Sequence, residues 1–88
     1  MGFFDKLKDL KKARELQTTL AKEVVEGVSK DGTVRVTIDG NQNVMRVVID
    51  DSILNDKHKL EQNTKDAFVR GLDSLKKLMA SKFSAVFK

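Results

Sequence analysis

Two groups of lysines carry the chemistry that this chain offers. Lys8, Lys11, Lys12 and Lys22 lie near its start, and Lys76, Lys77, Lys82 and Lys88 near its other end. Ammonium groups at helical spacing neutralise phosphates and release condensed counterions. The resulting binding is blind to sequence and falls steeply with salt. The same residues also read as a solvated helix face. Asp66–Arg70 and Asp73–Lys77 stand at i, i+4, where opposite charges support an exposed helix without any ligand. No cluster of Asn, Gln or Arg at a helix start suggests base readout.

Covalent chemistry has few parts to work with. The single histidine, His58, sits in the polar run DKHK and reads as a solvated first-turn residue rather than a general base or ligand. No serine or threonine has a matching His/Asp set for nucleophilic activation. The five glycines are dispersed and fit neither the G-x-G-x-x-G nor the Walker spacing. Without cysteine or a second histidine, a zinc site lacks its usual donors. Asp50-Asp51 has no third ligand nearby, so Asp51 reads as the cap of a short turn. The expectation is a binding or structural protein with no cofactor and no metal, not an enzyme.

The elements that must position the lysines follow from periodicity. Phe3, Leu7, Leu10, Ala13, Leu16 and Leu20 recur at steps of 4, 3, 3, 3 and 4, which predicts a helix over about 3–22. That slightly tight spacing suits a helix laid along another helix. Strands are expected at about 23–30, 33–39 and 44–50. In the first, Gly27 breaks the alternation and predicts a bulge or an edge position. Asp31-Gly32 signals a two-residue hairpin with φ > 0 at both central positions. In the third, Met45, Val47 and Ile49 alternate as one apolar face. Asn55 or Asp56 should cap a final helix over about 56–85. Its stripe runs through Leu60, Thr64, Ala67/Phe68, Gly71/Leu72, Leu75, Leu78/Met79, Phe83 and Val86. Gly71 inside that stripe costs about 1 kcal/mol relative to alanine, so a close backbone approach is expected there.

One α+β domain over 1–88 results: helix, three-stranded antiparallel meander, long helix. Eighty-eight residues are too few for two cores. A helix of about 30 residues spans about 45 Å, whereas three strands are about 10–15 Å wide. Both helices therefore overhang the sheet with apolar stripes uncovered, and a two-fold homodimer is the economical remedy.

Charge is unevenly spread. Residues 1–22 carry +3, residues 23–51 carry −3, residues 52–72 carry +1 and residues 73–88 carry +3, for a net +4. Basic ends around an acidic middle point to a polyanionic partner. No apolar run reaches 18 residues, and MGFFDKLKDLKK lacks the pattern of a secretory signal. The Met-Gly start invites N-myristoylation, but Lys6 stands where Ser or Thr is wanted. A soluble, cytoplasmic location is expected.

The hairpin is where the residues become recognisable. Val34-Arg-Val36-Thr37-Ile38-Asp-Gly40, followed by Val44-Met-Arg-Val47-Val-Ile49-Asp50-Asp-Ser52-Ile53-Leu54, resembles the signature of the YbaB/EbfC family of bacterial nucleoid-associated proteins. DAFVRGLDSLKKLM resembles the helix that follows in that family, and the basic helix before the strands matches as well. The resemblance covers roughly residues 5–80. It implies a tight dimer of tweezer-like outline with protruding helices, binding double-stranded DNA in the nucleoid. The chain departs from the family in a short first helix without a Gln/Met-rich run. Asp51 also replaces the usual proline after Ile-Asp. The first departure bears on the reach of the helical arms; the second is harmless, since aspartate caps well.

Two rival readings accompany this one. GFFDKLKDLKKA is a basic amphipathic segment ending in Phe3 and Phe4, suited to an anionic lipid surface. A protein–protein adaptor without nucleic acid is the other. Loss of DNA retardation with salt, set beside liposome sedimentation, separates the DNA and membrane readings.

Overall fold

The computed structural model describes residues 3–83, with side chains from Leu10 to Lys82. Helix α1 (Phe3–Lys22) leads into strands β1 (Val24–Val28), β2 (Val34–Asp39) and β3 (Val44–Ile49). A 3-10 turn (Asp51–Ile53) then joins β3 to helix α2 (Lys57–Phe83). The strands form an antiparallel meander in the order β1-β2-β3, and α2 lies across one face of it. The fold is therefore α+β, as the patterning implies. Val86 and Lys88 fall outside the described residues.

Alternation in β2 builds the core. Val34, Val36 and Ile38 point under α2 and are fully buried, together with Ile53, Ala67 and Leu75. Burial of each such aliphatic side chain contributes about 1.5–3 kcal/mol. Leu60, Phe68, Leu78 and Met79 pack around this cluster at the margins of the helix stripe. Leu72 lies outside it, 42% exposed, so the buried stripe of α2 is narrower than the apolar spacing suggests.

Three local details differ from the sequence expectations. The β1–β2 connection is longer than a two-residue turn: Ser29 N–H donates to Val34 C=O, and only Gly32 has positive φ, at 78°. Asp31 stabilises this longer loop by accepting from the Thr33 N–H and hydroxyl and from the Ser29 hydroxyl. Second, Gly27 takes the edge position that was one of its two expected places, but pairing through it is regular, without a bulge. The register shift falls instead at Thr37/Ile38, where Ile38 faces Val44 and Thr37 faces Arg46. Met45 is the extra residue, so Val44, Val47 and Ile49, not Met45, share the α2 side. Third, Asp50 rather than Asp51 caps the 3-10 turn. Its carboxylate accepts from the Ser52 N–H at 2.8 Å, since residue 50 keeps the extended backbone a cap requires. Asp56 caps α2 as expected, accepting from Lys59 N–H at 3.0 Å.

Helix α1 stands off the sheet. Residues 10–19 are all exposed, and the helix is rooted at its last turn. There the Leu20 carbonyl accepts from Gly40 N–H, Asn41 Nδ2 donates to the Gln17 carbonyl, and Lys82 meets Glu23 at 3.0 Å. The molecule extends 60 × 24 × 18 Å, with α1 as an arm.

Candidate nucleic-acid interface

The arm presents its bases on one side. At 3.6 residues per turn, Lys11, Lys12 and Lys22 fall within about 100° around the axis, and Leu10, Ala13, Leu16 and Leu20 occupy the other side. Lys11, Lys12, Arg14 and Lys22 are exposed and form no ion pair among the described residues. Lys8 lies within α1, beyond the described side chains. Glu15 sits among these lysines by helical phase and offsets one charge.

The second group is dispersed by the fold. Lys77 pairs with Asp73 at 3.1 Å along α2, and Lys82 with Glu23 at 3.0 Å at the root of α1. Lys76 forms no ion pair among the described residues and lines an open groove of about 420 Å³ with Gly40, Gln42, Leu72, Leu75 and Met79. Lys88 is outside the described residues. Of the eight lysines, Lys11, Lys12 and Lys22 are thus brought to one free cationic face. His58 is exposed, as a solvated first-turn residue should be.

The acidic middle of the sequence is largely engaged in holding turns. The Thr33 hydroxyl and then its N–H, with Ser29 and Asn63, hold the Asp31 carboxyl far below the usual carboxylate range. Asn43 N–H and side chain lower Asp39, whose side chain is buried beneath the β2–β3 turn. Ser52 lowers Asp50, and Arg70 with the Lys30 N–H lowers Asp66. These carboxylates stay ionised, but their oxygens are directed at nearby donors. No group of three or more His, Cys, Asp or Glu suited to a metal occurs among the described residues.

A feature not anticipated from the sequence is the exposure of β3. Every residue of the strand is exposed, including Met45 at 61% and Val47 at 44%. On the α2 side, Val44, Val47 and Ile49 are left uncovered by the helix. On the other side Val48 is also open. The signal was present in the consecutive Val47-Val48-Ile49: a strand apolar in both phases is one to be covered on both faces. Arg46, also missed, is exposed at the centre of this strand.

Comparison with known proteins agrees with this geometry. The model of the YbaB/EbfC DNA-binding family matches residues 1–88. A nucleoid-associated protein of Prochlorococcus marinus (strain MIT 9312) is 45% identical over 62 residues, which cover 68% of this chain and 53% of that protein. One from Gloeobacter violaceus is 34% identical over 89 aligned positions, covering 90% and 80%. The chain spans little more than half the length of the Prochlorococcus proteins it matches, 53% and 63% for two of them. The crystal structure of an uncharacterized protein from Helicobacter pylori superposes with a TM-score of 0.78 at 22% identity, covering 100% of this chain and 99% of that one.

Proposed function

Since the chain belongs to the YbaB/EbfC DNA-binding family, we propose that it is a nucleoid-associated protein that binds duplex DNA as a homodimer. The arm grips the phosphate backbone through Lys8, Lys11, Lys12 and Lys22, with little base readout. Lys76 adds charge at the α2 groove, while Lys77, Lys82 and Lys88 supply secondary charge. The observation that carries this reading is the α1 arm, which stands clear of the sheet with an unpaired cationic side. A helix held away from its own core with free lysines is placed for a partner rather than for folding. The relatives' name, nucleoid-associated protein, supports the same assignment and a location on the cytoplasmic nucleoid. No described helix is long and apolar enough to cross a membrane.

The dimer supplies what the protomer lacks. Strand β3 is a sheet edge with apolar side chains exposed on both faces, and an uncovered edge of this kind pairs with another chain. A second copy brings the matching surface by two-fold symmetry. Its seating covers the exposed side chains of Val44, Val47 and Ile49.

An electrophoretic shift of duplex DNA titrated against salt tests the function. Log affinity should fall linearly with log salt. No retardation at about 50 mM salt with tens of micromolar protein would remove the DNA-binding reading.

A further inference from the structure

We propose that the open face of the sheet is a second phosphate-binding surface, centred on Arg46 and distinct from the α1 arm; this inference rests on the DNA-binding reading above. Strand register places Arg46 directly opposite Thr37, and Arg35 opposite Val48. Because Val34, Val36 and Ile38 face α2, their neighbours Arg35 and Thr37 face away from it, and Arg46 and Val48 with them. No described element lies over this face.

The two arginines differ in their surroundings. Arg35 Nη1 meets Glu26 Oε1 at 3.2 Å, so its charge is partly matched. Arg46 is exposed and has no acidic partner among the described residues. Of the aspartates in phase with this face, Asp39 is buried with its oxygens turned to Asn41 and Asn43, and Asp50, exposed at the end of the strand, accepts from Ser52 N–H. Arg46 is therefore the guanidinium on this face that no described carboxylate matches. A guanidinium offers a planar fork that fits phosphate bidentately, which a lysine does not.

Position strengthens the case for a duplex backbone as the occupant. Arg46 lies mid-strand on the edge through which a second copy pairs in the proposed dimer. Antiparallel pairing about that edge, with the two-fold axis perpendicular to the sheet, keeps both copies of Arg46 on one face. The joined sheet then carries four arginines on one face, Arg35 and Arg46 of each copy, offset by two residues along their strands.

Arginine modification by phenylglyoxal, read by mass spectrometry on the wild-type protein, tests this directly. The probe is a duplex of arbitrary sequence, long enough to span the whole dimer. Arg46 should react freely without DNA and be protected once the duplex is bound. Arg46→Gln should lower the salt slope by about 0.9 for each phosphate it no longer neutralises, and Arg46→Lys should restore the slope in part. If duplex binds and Arg46 reacts equally with and without it, the sheet face does not touch DNA and the arm alone remains. Poor reactivity of Arg46 before DNA is added would show that the partner copy covers this face, and would also overturn the proposal. A variant Arg46→Gln that forms larger assemblies with an unchanged slope would identify Arg46 as a guard of the strand edge instead. Absence of any duplex binding by the wild type sinks the functional reading itself, a separate result.

Discussion

Gly27 of β1 and Gly71 of α2 are packed backbone against backbone. A Cβ placed on Gly27 would strike the Ala67 carbonyl oxygen and stand 2.5 Å from the Gly71 nitrogen. A Cβ on Gly71 would stand 3.5 Å from the Gly27 Cα, and nearer to Ile38 Cδ1 and Val36 Cγ2 at 3.0 and 3.2 Å. The two glycines let the long helix settle onto the sheet, and the helix in turn buries β2. This is the close approach that a glycine inside the α2 stripe foretold.

The two positions should respond differently to alanine. Gly27→Ala meets rigid backbone and should cost about 2–3 kcal/mol or more, at the upper end for overpacking. Gly71→Ala meets the ends of side chains and gains helix propensity of about 1 kcal/mol, so its net cost should be about 1 kcal/mol or less. Urea denaturation of the two variants gives the comparison. Equal costs would mean that α2 does not ride on β1 as described.

Acid should loosen the β1–β2 turn. The Asp31 carboxyl is held low in the folded state, chiefly by the Thr33 hydroxyl, whereas in the unfolded chain it titrates near the ordinary value of about 3.9. The folded state therefore gains from ionised Asp31 above that pH and loses the gain as pH falls below about 4 toward the folded value. Asp39, Asp50 and Asp66 shift in the same direction. Urea midpoints should be flat above about pH 5 and decline below about 4. Asp31→Asn should be less stable at neutral pH and decline less steeply between about pH 5 and 3.

Assembly should be lost by charging β3. The wild type is expected at about twice its 9.9 kDa mass in sedimentation equilibrium. Val44→Glu or Val47→Lys should shift it to the single mass with helix content retained, since both side chains are exposed in the protomer. A dimer that survives both substitutions would place its interface elsewhere.

Charge reversal on the arm should spare the dimer and weaken DNA binding. The double variant Lys11→Glu/Lys12→Glu alters exposed residues that pack against nothing in the protomer. In a dimer it removes up to four ammonium–phosphate pairs, so the salt slope should fall by as much as about 3.6. Lys77→Gln, whose ammonium already meets Asp73, should change the slope far less. Unfolding of the double variant would show that these lysines are not surface residues. Leu75→Ala, by contrast, empties a buried site and should cost about 2–5 kcal/mol.

Much of this architecture was legible in the chain because it is set by local period. The spacing of Leu10, Ala13, Leu16 and Leu20 specifies a helix, alternation of Val34, Val36 and Ile38 a strand buried on one side, and Asp56 a helix start. The separation of basic ends from an acidic middle was also plain, and with it the expectation of a polyanionic partner. None of these depends on which element meets which.

What depends on meeting was decided only in three dimensions. Eight lysines look alike in sequence, yet folding brings Lys82 to Glu23 across the chain and leaves Lys11, Lys12 and Lys22 free on an arm. One extra residue at Met45 moves Val44 onto the side facing α2 and sets Met45 out of phase, because side chains alternate with a period of two. The exposure of β3 likewise follows from α2 resting on β1 and β2, a seat chosen by the close approach of two glycines far apart in the chain. Periodicity reports which face of an element is apolar. Only packing reports which neighbour, if any, covers it.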